Sequence, residues 1–231
     1  MPKALIVVTN HKELGNTGRQ TGYYLPEVTH PFYVLEEAGF QIDFLSPKGG
    51  AGAMDEKSRE LTDPENKKFL ESKELMNKLD NTFSPADISP TDYDAIIFAG
   101  GHGTMWDFPD DEPLAKTTAA IYENGGVVAA ICHGPAGVVN VKLSDGTFLV
   151  QGKTVAAFTN EEEASMELTE VMPFLLEDKL IERGAKIQKA APWQESVAVS
   201  ERLVTGQNPA SARGVGHAVV KLLQQSKASA Q

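Results

Sequence analysis

The sequence predicts a single α/β domain in which a mostly parallel sheet is sandwiched between helices. Short runs of apolar, β-prone residues alternate with segments of helical periodicity along most of the chain, and this alternation is typical of βαβ units. The chain has 231 residues, of which 41% are hydrophobic and 23% are charged, which is enough for one large core. We therefore expect one domain over residues 1–231, with its functional site at the carboxyl ends of the strands.

The first βαβ unit lies at the N-terminus. We predict strands over residues 4–8 and 41–45, separated by a Gly-rich loop over 10–22 and a helix over 25–38. Gly39 closes that helix, because glycine readily takes the left-handed conformation that ends helices.

A polar segment over residues 47–90 interrupts the pattern and is interpreted as a cap-like insertion over the sheet. Within it, Thr62 and Asp63 form a cap signal ahead of one predicted helix over 64–79.

The second half of the chain resumes the alternation. The predicted strands are residues 95–99, 127–131, 154–157, 186–188, 196–199 and 203–205. The predicted helices are residues 112–122 and 173–183, with a last helix that starts at Asn208 and Pro209.

The only cysteine, Cys132, directly follows the apolar run 127–131 and precedes Gly134 and Pro135. A Gly-Pro pair is typical of the first turn of a helix, so we expect Cys132 on a sharp strand-to-helix turn, a nucleophile elbow. The helix dipole and free backbone N–H groups there favour a thiolate. The alternative is a structural role, since a lone cysteine often acts as a small buried hydrophobe.

A glycine-rich loop, residues 100–104, follows the predicted strand 95–99. Its glycines allow backbone N–H groups to approach an anion, so the N–H groups of Gly101 and His133 are a candidate oxyanion hole. A tight strand-to-helix turn without any catalytic role remains the alternative.

Carboxylates occur at two places that can meet the cysteine. Residues 161–163 are three consecutive glutamates, and position alone does not decide which of them faces the site, since a helix start of this kind is often solvated. Glu27 lies beside aromatic residues at the start of the first predicted helix, where it either stabilises the helix dipole or points into the site.

Four segments together resemble the PfpI (ThiJ/PfpI) superfamily, and within it the heat-shock chaperone branch with glutathione-independent glyoxalase (glyoxalase III) activity. They are residues 130–135 (AICHGP), the loop 100–104 (GGHGT), Thr21–Gly22 with Glu27 and His30–Pro31–Phe32, and residues 203–211 (LVTGQNPAS). The resemblance implies a flavodoxin-like sheet, usually in a dimer. It also implies a catalytic triad of Cys132, His133 and Glu163, with Glu27 touching the sulfur.

The resemblance implies conversion of methylglyoxal to D-lactate, and of glyoxal to glycolate, through a hemithioacetal on Cys132. His133, oriented by Glu163, is the expected base, and Glu27 is the expected proton shuttle. The sulfur stays attached to the substrate throughout, so we expect no cofactor and no metal. The expected substrate pocket includes His102, Trp106 and Phe158, and its wall candidates are Met105, Tyr23 and the pair Pro192–Trp193.

Several other functions are disfavoured. An amidotransferase calls for a late His-x-Glu pair, but His217 is followed by Ala218 and Val219. The five histidines show no H-x-H or H-E-x-x-H metal spacing, and the loop 100–103 departs from the dinucleotide fingerprint. A peptidase, an amidase or a protein deglycase stays possible, as does a holdase chaperone or a cysteine redox sensor.

The net charge of −11, from 32 acidic and 21 basic residues, disfavours nucleic acid and anionic membranes as partners. No signal peptide or transmembrane pattern is evident at the sequence level, and one cysteine allows no intramolecular disulfide. We therefore expect a cytoplasmic protein. The resemblance implies a homodimer that acts on a small aldehyde, with unfolded client proteins as a further class of partner.

Overall fold

The computed structural model describes residues 1–229. Its strands are β1 (Lys3–Val7), β2 (Gln41–Leu45), β3 (Ala95–Phe98), β4 (Val127–Ile131), β5 (Thr154–Val155), β6 (Lys186–Ile187), β7 (Val197–Ser200) and β8 (Leu203–Gly206). Its helices are α1 (Pro26–Glu37), α2 (Pro64–Glu71), α3 (Lys73–Asp80), α4 (Thr104–Asp107), α5 (Glu112–Glu123), α6 (Asn160–Ser165), α7 (Leu176–Glu182) and α8 (Ala212–Ser229).

Six strands form the central sheet, in the order β2-β1-β3-β4-β8-β7. The first five strands are parallel, and β7 at the edge pairs antiparallel with β8. This mostly parallel sheet confirms the predicted fold class. The carboxyl ends of β3, β4 and β8 lie side by side, so the loops that follow these strands meet at one edge of the sheet.

The sheet separates two hydrophobic cores. In β1, Leu5 and Val7 belong to one core, whereas Ala4 and Ile6 belong to the other. Successive side chains of a strand point to opposite faces, so an uninterrupted apolar run fits a strand that is covered by helices on both sides. All five residues of β4 are buried, which fixes this strand in the middle of the domain.

Two predicted elements are wrong in detail. The single helix over 64–79 is broken at Ser72, whose extended backbone ends α2 and whose hydroxyl caps α3 through Leu75 N. The strand over 154–157 ends at Val155, because Ala156 N donates to the side-chain hydroxyl of Thr205 rather than to a backbone carbonyl of a neighbouring strand. The short β5 pairs with β6 in a separate two-stranded sheet.

The helices expected after Cys132 and at Asn208–Pro209 also differ from the prediction. The elbow leads into a 3-10 turn, Gly134–Gly137, and the last helix begins only at Ala212, after a second 3-10 turn at Pro209–Ser211. Side chains at Gly134 and Gly137 would collide with Phe98, which shows how tightly this turn packs against β3.

The segment 47–90 lies beside β2 and against α1. Thr29 donates to Asn66 over 2.6 Å, and the His30 ring meets the Asp63 carboxylate at 2.6 Å. These contacts fix α2 to the helix that carries Glu27. Among residues 1–229, we find no helix with the length and apolar character needed to cross a bilayer.

Candidate active site

Cys132 stands on a strained turn at the end of β4. Its φ of 61° places a residue with a side chain in the left-handed region, which costs on the order of 1–2 kcal/mol. Two backbone hydrogen bonds hold the turn, from Cys132 N to Gly206 O at 2.8 Å and from Phe158 N to Cys132 O at 2.9 Å. The elbow expected from the sequence is therefore present, although no α-helix follows it.

His133 lies between the sulfur and a carboxylate. Its Nδ1 is 3.6 Å from Cys132 Sγ, and its Nε2 is 2.6 Å from Glu163 Oε2. A carboxylate only accepts hydrogen bonds, so Nε2 carries the proton and Nδ1 turns a lone pair toward the sulfur. This arrangement suits a base that removes the thiol proton.

Glu163 accepts hydrogen bonds from two histidines. His102 Nε2 approaches the second carboxylate oxygen, Oε1, at 2.8 Å, and the centroids of the two imidazole rings are 4.2 Å apart. The sequence analysis assigned His102 to the substrate pocket, but in the structure its ring nitrogen binds Glu163. Glu163 is thus held at both oxygens, with 3% of its surface exposed.

The pKa values of this group follow from its surroundings. Burial alone would raise the pKa of Glu163, but His133 and His102 outweigh burial and lower this pKa to about 2. Burial, together with the neighbouring His102, lowers the pKa of His133. At neutral pH we therefore assign an ionised Glu163 and a neutral His133, the state that a general base requires.

Glu27 is a carboxyl whose pKa is raised, whereas that of Glu163 is lowered. It is fully buried at the start of α1, its Oε2 accepts from Gly100 N at 2.6 Å, and its Oε1 has no hydrogen-bond partner among the described residues. Burial raises the pKa of Glu27 to about 8, while the Gly100 N–H and the adjacent Cys132 side chain oppose this rise only in part. Glu27 is therefore protonated at neutral pH.

The expected thiolate stabilised by a helix dipole is not what the structure supports. Burial and then the neighbouring Glu27 raise the pKa of Cys132 well above its ordinary value, and only the His133 backbone N–H opposes them. The four-residue 3-10 turn after Cys132 supplies no α-helical dipole. Cys132 therefore rests as a thiol, and its proton has to be transferred during the reaction.

The glycine loop after β3 packs directly against the elbow. A side chain at Gly100 would collide with the Glu27 carboxylate and Ile131 O, and Gly101 has a φ of 112°. The Thr104 hydroxyl is 2.9 Å from Gly101 O and 3.0 Å from His133 O, so it ties the two loops together. Among residues 1–229, neither the Gly101 nor the His133 backbone N–H donates to an oxygen or nitrogen atom of the protein.

The expected pocket residues divide into two groups. The ring of Phe158 lies 4.2 Å from that of His133, centroid to centroid, and therefore borders the site. The Trp106 indole instead stacks on His11 at 5.1 Å. Tyr23 faces Asp80, Glu56 and Arg59 of the 47–90 segment, whereas its neighbour Tyr24 lies close to Glu27 and Cys132.

The sequence analysis did not find the role of Glu162. Its carboxylate is fully buried and accepts from the backbone and hydroxyl of Thr159, from Trp193 N and from the side-chain amides of Gln207 and Asn208. Thr159 and Glu162 form a capping box at the start of α6. The Thr-x-x-Glu spacing of this motif is the signal in the sequence that could have distinguished Glu162 from Glu163.

His102, His133 and Glu163 also bring three metal-binding side chains together, with ligand atoms within 4.8 Å of one another. The histidine spacing in the sequence gave no sign of this cluster. However, both imidazole Nε2 atoms are already hydrogen-bonded to Glu163. In this structure, hydrogen bonds to each other therefore occupy both Nε2 atoms and both Glu163 oxygens.

Comparison with known proteins gives similar sequences of nearly equal length. The chain is 33% identical over 222 residues to glyoxalase 3 of Candida albicans, covering 92% of this chain and 94% of that protein. It is also 33% identical over 227 residues to the glutathione-independent glyoxalase HSP31 of Saccharomyces cerevisiae, covering 91% and 93%.

Two solved structures also match this chain over nearly its whole length. The rapid encystment protein of Francisella tularensis superimposes with a TM-score of 0.93 at 42% identity, over 96% of this chain and 99% of that one. Glyoxalase III from Candida albicans superimposes with a TM-score of 0.88 at 30% identity, over 96% and 97%. The model of the DJ-1/PfpI family matches residues 20–222. With its fold, its elbow cysteine and these relatives in agreement, the chain belongs to the DJ-1/PfpI family.

Proposed function

We propose that this protein is a glutathione-independent glyoxalase that converts methylglyoxal to D-lactate and glyoxal to glycolate. The observation that carries the proposal is the hydrogen-bonded series Cys132–His133–Glu163, with the neutral carboxyl of Glu27 beside the same sulfur. Relatives at 33% identity are named as glyoxalases of this kind, over more than nine-tenths of both chains. A buried thiol suits a small aldehyde better than a peptide, which requires an extended groove.

The first step is addition of sulfur to the aldehyde. His133 Nδ1 takes the thiol proton, a bond forms between Sγ and the aldehyde carbon, and the carbonyl electron pair moves to oxygen. The N–H groups of Gly101 and His133, neither of which donates to an oxygen or nitrogen atom within residues 1–229, are assigned to the resulting oxyanion. Proton return to that oxygen gives a hemithioacetal.

The second step moves hydrogen within the substrate. A base removes the proton from the carbon that carries sulfur, an enediol forms, and a proton is delivered to the neighbouring carbon. The first carbon is thereby oxidised to a thioester while the second is reduced to an alcohol, so no external oxidant is required. We assign proton removal to His133 and delivery to Glu27, which holds a proton at neutral pH.

Hydrolysis completes the cycle. Water adds to the thioester, the carbon–sulfur bond breaks, and the Cys132 thiolate takes a proton from the water as the 2-hydroxy acid leaves. The proton that His133 removed in the second step passes back to Glu27 by way of the Cys132 sulfur, which lies beside both residues, and this restores the starting state of each. Glu163 keeps its charge throughout and stabilises the imidazolium form of His133, because its carboxylate contacts the Nε2 proton directly. The homodimer and the binding of unfolded clients are parts of the proposal that rest on the family resemblance, and the cytoplasm as the place of action rests on the sequence pattern alone.

The direct test is to incubate the purified protein with methylglyoxal, without glutathione or added metal, and to measure D- and L-lactate with stereospecific dehydrogenases. We expect D-lactate from the wild type and none from Cys132→Ala. A thermal midpoint within a few degrees of the wild type would show that the variant is folded. Full activity of Cys132→Ala would overturn the mechanism, and absence of lactate from the folded wild type would overturn the function.

A further inference from the structure

Trp193 adopts an unusual backbone conformation near the site. It lies in the turn 191–194, which is closed by a 3.1 Å hydrogen bond from Gln194 N to Ala191 O. Pro192 precedes it, and its φ is 65°. A proline followed by a left-handed residue is the pattern of a type II turn, in which glycine or asparagine is preferred at the position of Trp193. A bulky residue there is strained.

The strain is held by a buried carboxylate. Trp193 N donates to Glu162 Oε1 over 2.9 Å, and Glu162 is fully buried. The same oxygen accepts from the side chains of Gln207 and Asn208, and the other oxygen binds Thr159. Glu162 is next to Glu163 in the chain, so the network that fixes the turn also fixes the start of α6.

The Trp193 side chain is the outer member of an aromatic series that leads to the triad. Its ring meets Phe158 edge-on at 5.5 Å, and Phe158 in turn packs on His133 at 4.2 Å. Trp193 is 44% exposed, whereas Phe158 is 3% and His133 is 1% exposed. The indole therefore adds little to the core, yet the fold keeps it in a conformation that glycine would adopt without strain.

We propose that Trp193 is a specificity-determining residue, whose indole forms the outer wall of the approach to Cys132 and limits the size of the substituent on the ketone carbon. Backbone strain that is held by several contacts is often associated with function. The inference rests on the proposed function, because it concerns which 2-oxoaldehydes reach the sulfur. Hydrogen and methyl substituents pass the wall freely, whereas an aromatic substituent passes it poorly.

The test compares methylglyoxal with phenylglyoxal. Trp193→Gly removes the ring and relieves the backbone, and we expect it to raise the ratio of kcat/KM for phenylglyoxal to that for methylglyoxal about tenfold, mainly through a lower KM for phenylglyoxal. Trp193→Phe keeps an aromatic ring and should change the ratio only about twofold. The thermal midpoint of Trp193→Gly should not fall, since glycine suits this φ.

Alkylation of Cys132, the only thiol, separates this inference from the proposed function. The rates of Cys132 alkylation by iodoacetamide and by a bulky aromatic maleimide are measured at alkaline pH. In Trp193→Gly the rate with the maleimide should rise relative to the wild type, and the rate with iodoacetamide should not. If the wild type converts neither aldehyde, the proposed function fails while the alkylation ratio still tests the wall. Unchanged ratios in both assays would overturn the role of Trp193.

Discussion

Two buried carboxyl groups close to the elbow differ in charge. Glu163, on α6, meets two imidazole rings, and these lower its pKa to about 2 in spite of burial. Glu27, on α1, has one backbone N–H and a sulfur as neighbours, and burial raises its pKa to about 8. At neutral pH the first is an anion and the second is an acid.

The comparison teaches that partners, rather than burial, separate the roles of the two residues. Both side chains are almost inaccessible to water, so desolvation acts on both in the same direction. Only the nearby donor groups differ in number and charge. One carboxyl can then stabilise a cation on His133 while the other supplies a proton, which is how a single site carries out both acid and base chemistry.

The largest expected effect comes from removing the charge of Glu163. Glu163→Gln should lower kcat/KM for methylglyoxal by about 10³-fold, because a neutral amide neither stabilises the imidazolium nor fixes the tautomer of His133. Steady-state kinetics measure this loss, and the exposed neighbour Glu161, changed to Gln, is the matched control that should retain activity within about twofold.

The next carboxylate provides the decisive contrast. Glu162 bonds groups that hold α6 and the turn 191–194, so Glu162→Gln should lower the thermal midpoint. Its loss of methylglyoxal turnover should be much smaller than that of Glu163→Gln. If Glu162→Gln and Glu163→Gln lose turnover equally while both remain folded, the assignment of Glu163 is wrong.

The second-largest expected effect comes from replacing Glu27, the carboxyl that carries a proton at neutral pH. Glu27 holds its proton below a pH of about 8 and loses it as the pH rises through that value, so the wild-type rate should fall on the alkaline side. Glu27→Gln is neutral at every pH, and its kcat/KM at neutral pH should be lower by about 10²-fold because the proton shuttle is lost. The variant should also lack the alkaline decline near pH 8.

A pH-rate profile of both proteins measures the change. Survival of the alkaline decline in Glu27→Gln would assign it to another group and remove the role of Glu27 as proton donor.

The smallest effect concerns the second histidine. His102→Phe leaves Glu163 Oε1 unpaired in a buried place, and we expect a loss of about tenfold in kcat, equivalent to about 1.4 kcal/mol. His102→Gln still offers an N–H donor to the same oxygen, so it should lose only about twofold. The paired variants separate the hydrogen bond from the imidazole chemistry, and equal losses in both would indicate that His102 itself transfers protons.

Much of the fold followed from the sequence because its signals are local. The strands 41–45 and 127–131 were predicted with their true bounds. The first alternates polar and apolar residues up to Phe44, and the second is an uninterrupted apolar run, and both patterns are typical of strands. The break at Ser72 was missed because residues 64–79 keep a helical pattern across it. The 3-10 turn after Cys132 was missed because its tightness depends on Phe98, a residue of another strand.

The features of the site likewise divide into those expected from the sequence and those that the tertiary structure decided. The position of Cys132 at the end of β4 and that of the glycine loop 100–104 at the neighbouring strand end were expected from chain order and sheet topology. The contact of Glu27 with the sulfur came from family resemblance, since its position alone left a dipole-stabilising role open. The choice of Glu163 among three glutamates came from family resemblance, whereas the structure places Glu163 against His133 and turns Glu162 into the capping network.

The sequence by itself determined a parallel sheet that places one thiol at the end of a central strand, because the periodicity of side chains along each segment fixes which face is buried. Only the tertiary structure decided the protonation of the groups around that thiol. Glu27, His133 and Glu163 come from three separate parts of the chain, and their pKa values depend on burial and on the groups that folding brings next to them. Those quantities exist only after the chain has folded.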